Sequence, residues 1–89
     1  MKWECTREGY VLYENEKKVG CLNWEEDTDG DLRLTHTFVD PSMRGQNIAK
    51  RLLEKTVEYA RENQKRVVPI CSYVQEHLDE IPGGEQLRK

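Results

Sequence analysis

Between Val39 and Ile48 the chain runs Asp40, Pro41, Ser42, Met43, Arg44, Gly45, Gln46 and Asn47, a strand-breaking proline followed by residues that open a helix. The start of a helix presents amide hydrogens with no partner inside the helix, together with the positive end of its dipole, and so suits a phosphate or pyrophosphate. Gly45 lets the backbone approach an anion closely, Asn47 accepts a left-handed conformation more readily than most residues, and Arg44 adds a charged fork. Arg44, Gly45, Gln46, Asn47, Ile48 and Ala49 are therefore a candidate phosphate loop. Taken alone, the same residues also fit an ordinary strand-to-helix turn with a solvated arginine.

Cys71 ends a strand-like run and precedes a short helix that Ser72 can cap, a place where helix amides ease loss of the thiol proton. It is either a reactive thiol or a small apolar filler. His36 is of the residue type most suited to act as a general base at neutral pH. Alternation, however, puts Leu32, Leu34, His36 and Phe38 on one face and Arg33, Thr35, Thr37 and Val39 on the other. If the first face packs on the helix, His36 is a hydrogen-bonded structural residue, and Thr35 and Thr37 look toward any acceptor. His77 reads as surface. Glu4, Glu25, Glu26, Asp27 and Asp29 make the N-terminal half acidic, either as solvated surface or as an attraction for a cationic substrate.

The elements that must place these groups follow from periodicity. Tyr10 to Tyr13 and Lys18 to Trp24 are strand-like and joined by the polar Glu14 to Lys17, which predicts a hairpin packed by Trp3, Tyr10, Tyr13 and Trp24. Asp29-Gly30 marks a turn before the alternating run Asp31 to Val39. Ile48, Leu52, Leu53, Val57 and Ala60 form one face of a helix reaching about Glu62, with Asn63 as its C-cap. Arg66 to Cys71 reads as a strand parallel to the one before the helix. Pro69 has no amide hydrogen, so that strand sits at an edge or diverges from its neighbour. A short helix from Tyr73 to about Glu80 ends at Pro82-Gly83-Gly84. The expected fold is α+β, a mixed sheet in the order β-β-β-α-β-α, with residues 1–84 as a single domain and 85–89 as a frayed tail.

The totals bound what this domain can be. Its 89 residues leave room for one sheet and one or two helices, and a net charge of -3, from 14 basic and 17 acidic residues, points away from nucleic acid and anionic membranes. An anionic ligand therefore needs a local site. No run approaches the ~20 apolar residues of a membrane span, and the N-terminus has no apolar signal region, so a cytoplasmic location is expected. Three cysteines without C-x-x-C spacing indicate reduced thiols, with neither a disulfide framework nor a metal site. The short charged strands favour a monomer.

The stretch from Val39 through Arg44, Asn47 and Ala49 to Leu53 resembles the acetyl-coenzyme A signature of the GNAT (general-control-related N-acetyltransferase) superfamily. There an Arg or Gln is followed at the third and fifth positions by Gly and by Gly or Ala. Arg44 and Ala49 match, and Asn47 stands where glycine is usual. The resemblance covers residues 31 to 71. With Leu34-Thr35-His36-Thr37, Tyr59 to Asn63 and Val68-Pro69-Ile70-Cys71, it extends to a very small subgroup of that superfamily.

The resemblance implies an acyl-coenzyme A N-acyltransferase-like fold that binds acetyl-coenzyme A. The pantothenate arm would lie along the backbone of Phe38 and Val39, the pyrophosphate on residues 44 to 49, and the thioester between diverging strands near Cys71. It also implies an acetyl transfer to, or carriage on, Cys71, for an unknown amine, thiol or protein acceptor. Tyr73 is placed where related enzymes often carry a tyrosine that protonates the departing thiolate. Its other reading is a partly buried aromatic anchoring the last helix. Larger members wall an acceptor site with helices between the first strands and strands after the last helix, and this chain has neither. A coenzyme A-binding module without catalysis, or a small interaction domain, are the alternatives.

Overall fold

A computed structural model describes residues 1–89. Five strands form one sheet in the order β1-β2-β3-β4-β5, where β1 is Lys2–Thr6, β2 Gly9–Glu14, β3 Lys17–Glu26, β4 Leu32–Val39 and β5 Val67–Pro69. Successive strands from β1 to β4 pair antiparallel, and β5 pairs parallel to β4, with the helix α1 (Ile48–Glu62) making the crossover. Two short helices follow, α2 (Ser72–His77) and α3 (Gly84–Leu87). The mixed α+β sheet expected from the sequence is present, with one more strand at its edge and one more turn of helix at its end.

The added strand is β1, which periodicity could not reveal because Trp3 and Thr6 are its only residues shielded even in part from solvent. Pairing specifies it instead, with Trp3 opposite Leu12 and Cys5 opposite Tyr10. Trp3 faces α1, where the Arg51 guanidinium lies 5.4 Å and the Lys55 ammonium 5.0 Å from the ring centroid. Such contacts fasten an edge strand that has little apolar surface of its own. The hairpin between β2 and β3 closes through Asn15 and Glu16, both at positive φ (50° and 67°), the backbone of a tight two-residue turn.

Residues 85–89 were expected to fray, and they do not. The Lys89 amide donates to the Val67 carbonyl (2.8 Å), Arg88 bridges to Val67, and the Arg66 guanidinium donates to the Arg88 carbonyl (2.7 Å). The Lys89 ammonium sits among Asp27, Asp29 and Asp31 at 3.1, 2.9 and 3.0 Å. The acidic turn that the sequence left as solvated surface is thus the anchor of the C-terminal segment.

One core lies between the sheet and the helices. Leu12, Leu22, Leu32 and Leu34 from the sheet meet Ile48, Leu52, Leu53 and Val57 of α1, closed at one end by Val74, Leu78 and Ile81. Gly20 lets α1 approach the sheet, since a β-carbon there would stand 3.2 Å from Ile48 Cγ2 and 3.3 Å from Leu52 Cδ1. The helical elements pack on this one side and leave the other face of the sheet uncovered, which an antiparallel sheet tolerates.

Candidate cofactor site

The loop between β4 and α1 is built by local hydrogen bonds. The Asp40 carboxylate accepts from the amide (2.9 Å) and the hydroxyl (2.7 Å) of Ser42, capping a 3-10 turn over Pro41–Met43. These two bonds, the amide foremost and then the hydroxyl, hold its carboxyl below the usual range against the opposing effect of burial, and Lys17 at 3.5 Å adds to the shift. The one acid at the mouth of the loop is thereby occupied. Met43 anchors the turn in the core, and the chain emerges through Gly45 at φ 85° and Asn47 at φ 58°. The left-handed conformation foreseen for Asn47 is its conformation here, as the helix N-cap with no side-chain cap bond.

That geometry leaves a dense set of donors. The first helical bond runs from the Arg51 amide to the Asn47 carbonyl (3.0 Å), and the amides of Gly45, Gln46, Asn47, Ile48, Ala49 and Lys50 find no acceptor in the chain. An ordinary helix start leaves about four orphan amides, commonly with a capping oxygen. The first turn of α1 also has no acidic residue to offset the helix dipole. Beside these donors lies a cavity of about 300 Å³, lined by Val39, Met43, Arg44, Gly45, Asn47, Ile48, Ala49, Lys50 and Tyr73. The arrangement can hold a polyanion by backbone donors with Arg44 and Lys50 beside them.

At the other end of the site β4 and β5 part company. Their pairing stops at Leu34 opposite Pro69, and the amides of Ile70 (3.1 Å) and Cys71 (2.9 Å) both turn onto the single carbonyl of Leu34. From Thr35 to Val39 the edge of β4 therefore has no partner strand on that side, while Pro69 lies on the outer edge of β5, where its missing amide costs β4 no bond. Cys71, and not Ser72 as the sequence suggested, is the N-cap of α2, because the turn onto Leu34 starts the helix one residue early. Its sulfur lies 3.6 Å from Thr37 Oγ1. Burial raises the Cys71 thiol, but the Thr37 hydroxyl and the amides of Val74, Tyr73 and Thr37 together outweigh it and hold it below the ordinary value.

The contact with Thr37 contradicts the expected facing of β4. Asn23 pairs with His36 and Trp24 with Leu34, so Thr35 is an extra residue, a β-bulge, and its hydroxyl reaches the Asn23 carbonyl (3.4 Å). Beyond the bulge the two faces exchange. Thr37 and Val39 join the side of Leu34 and the helix, whereas His36 and Phe38 turn to the uncovered face and are exposed. His36 is thus neither packed under the helix nor near Cys71, and Thr37, read as facing away, is the residue that the sequence missed. Two threonines flanking a histidine carry no mark of a bulge.

The remaining residues divide between two centres. Val39, Arg44, Gly45, Asn47, Ile48, Ala49 and Tyr73 meet at the loop cavity with Gln46 beside it, and Cys71 meets Thr37 at the strand divergence. Phe38 pairs with Cys21 of β3 and turns its side chain to the uncovered face. Tyr73 packs against the core, and burial, followed by the charges of Glu80 and Glu54, raises its phenol above the ordinary value, so it stays protonated at neutral pH. A thiol so held should react before free cysteine does. Alkylation of Cys71 is expected to reach half its limiting rate below pH ~8.5, the midpoint for unperturbed thiols. Thr37→Val should move that midpoint upward, since it removes a bond to the thiolate, as rates of iodoacetamide labelling across pH would read.

Comparison with known proteins bears on this geometry. A family model described as GCN5-related N-acetyl-transferase matches residues 9–87. No curated protein matches the sequence. Among solved structures, a GCN5-like protein from Staphylococcus aureus, provisionally described as an N-acetyltransferase, superposes with a TM-score of 0.76 at 20% identity over 99% of this chain and 87% of its own. A Bacillus anthracis protein, provisionally described as a streptothricin acetyltransferase and solved with acetyl coenzyme A, gives 0.57 at 15% identity, covering 70% of this chain and 37% of its own. An aminoglycoside acetyltransferase from an uncultured soil metagenomic sample, solved with sisomicin, gives 0.56 at 21% identity, covering 84% and 55%. The chain thus spans most of the first of these proteins and roughly half or less of the other two. The likeness is one of fold. No helix is long and apolar enough to cross a membrane.

Proposed function

The chain belongs to the GCN5-related N-acetyltransferase family, and from that premise we propose that it binds acetyl-coenzyme A at the β4–α1 loop and transfers the acetyl group by way of Cys71. The observation that carries this reading is the unbroken run of amides from Gly45 to Lys50 with no acceptor of their own, opening on a cavity that also holds Tyr73. The pyrophosphate takes those amides, with Arg44 and Lys50 adding charge. The pantothenate arm follows the unpaired edge of β4 at Phe38 and Val39 toward the divergence of β4 from β5. There the thioester lies beside Cys71.

The chemistry is a thioester exchange. The Cys71 thiolate, favoured by Thr37 and the α2 amides, attacks the acetyl carbonyl carbon; the bond from that carbon to the coenzyme sulfur breaks as the bond to Cys71 forms. The departing thiolate takes its proton from Tyr73, which recovers one from solvent. An acceptor amine or thiol then removes the acetyl group and returns the Cys71 thiol. Because a thiolate is a good leaving group, the acid contributes less than the ~10²–10⁴ of a typical general acid. Tyr73→Phe is accordingly expected to lower coenzyme A release by about tenfold with acetyl-coenzyme A affinity unchanged; an unaltered rate removes Tyr73 from the mechanism.

Calorimetry with acetyl-coenzyme A tests the reading as a whole: a specific heat with one-to-one stoichiometry supports it, and none leaves only the fold. A second reading, a coenzyme A-binding module without turnover, is favoured by the tight turns between β1, β2 and β3, which leave the uncovered sheet face without acceptor walls. Product assays across amine and thiol acceptors separate the two. Three unpaired cysteines suit a reducing compartment, and we place the protein in the cytoplasm.

A further inference from the structure

Tyr73 and His77 stand one turn apart on α2, on the same face of the helix. Their ring centroids are 4.4 Å apart and the planes are inclined by 33°. Both nitrogens of His77 face carboxylates: Nδ1 is 3.0 Å from Glu80 Oε1 and Nε2 is 3.8 Å from Glu76 Oε2. A carboxylate only accepts, so the closer contact places a hydrogen on Nδ1 and stops the imidazole from turning.

The helix itself cannot do this work. α2 spans only Ser72–His77 and has no side-chain cap, and a helix so short has no stability of its own in water. The direction of Tyr73 is therefore set by what its ring touches. It packs against the core, it meets His77, and it borders the cavity that Asn47, Ala49 and Lys50 line. A ring confined by the core and by a tethered imidazole is held at the border of that cavity.

We propose that His77 is a positioning residue for Tyr73: held by Glu80, its imidazole is the wall that keeps the phenol ring in place on the first turn of α2, two residues beyond Cys71. The proposal rests on the reading of Tyr73 as proton donor given above. His77 touches no reacting atom, and its effect is expected on rate and not on cofactor affinity. Glu80 acts one step further out by holding the imidazole.

The test compares His77→Ala and His77→Phe in the full chain, the second keeping a flat ring. Three quantities are read: acetyl-coenzyme A affinity by calorimetry, the rate of coenzyme A release, and, in protein without cofactor, cross-relaxation between the Tyr73 ring and the Ala49 methyl group. His77→Ala is expected to leave affinity unchanged, to lower the rate by up to about tenfold, the loss expected for Tyr73→Phe, and to lose the cross-relaxation. His77→Phe is expected to keep both rate and contact. The proposal is overturned if His77→Ala keeps them, or if His77→Phe loses them as alanine does. Should the wild-type protein release no coenzyme A, the donor reading of Tyr73 fails separately. The Tyr73–Ala49 cross-relaxation then decides alone whether His77 orients the ring.

Discussion

Gly45→Val is expected to weaken acetyl-coenzyme A binding by at least about a hundredfold while the protein stays folded. Gly45 has φ 85°, and a β-carbon there would meet nothing within 4 Å. The substitution therefore brings no clash, only the strain of a branched residue in a left-handed conformation, about 1–2 kcal/mol. For a domain of this size that lowers the melting temperature by roughly 4–8 °C per kcal/mol. In the proposed mode of binding the polyanion takes the open space above Gly45, and any relaxation of its φ turns the following amides away. Losing two hydrogen bonds to charged oxygens, at ~1.5–3 kcal/mol each, accounts for a hundredfold or more. Asn47→Gly is the control, since glycine adopts φ 58° without penalty and should bind as the parent does. Isothermal titration of the two variants checks the pair; valine binding at parental affinity would mean that the anion does not reach this loop.

Cys71→Ala is expected to abolish a covalent acetyl gain entirely. Incubated with acetyl-coenzyme A, the parent protein should take up one acetyl group, read by intact mass, and the variant none. Affinity should change little, because the cavity beside the proposed phosphate loop does not include Cys71. The other two thiols serve as internal controls: Cys5 is exposed and Cys21 is buried beside Asn23 (3.6 Å), and neither stands at the end of the unpaired β4 edge. Cys5→Ser should therefore acetylate as the parent does. An acetyl gain that persists in Cys71→Ala would identify another nucleophile and remove the carrier step, leaving direct transfer to an acceptor or binding without turnover.

How much of this was legible in the sequence depended on where the determining contacts lie. The turn between β4 and α1, and α1 itself, could be read because their signals are local: Pro41 ends a strand, Asn47 admits a left-handed turn, and Ile48 to Ala60 repeat with a helical period. Pro69 gave the edge position of β5 by its missing amide. The facing of His36 and Thr37 could not be read, because a bulge at Thr35 arises from how β4 meets Asn23 and Trp24 twelve residues away. The edge strand β1 depends on Trp3 lying under Arg51 and Lys55, and the ordered C-terminus on Lys89 meeting three aspartates some sixty positions earlier. Such pairings leave no periodic trace. For the same reason the neighbours of Cys71 and Tyr73 came only with the fold.

The central claim is that backbone amides ahead of and within the first turn of α1 receive the diphosphate of acetyl-coenzyme A. Amide chemical shifts recorded during a titration test it most directly. Saturating cofactor should move the signals of Gly45 through Lys50 more than any other contiguous group, with a smaller response at Thr37 and Cys71. Binding that moves signals elsewhere and leaves those residues at their starting positions would contradict the assignment.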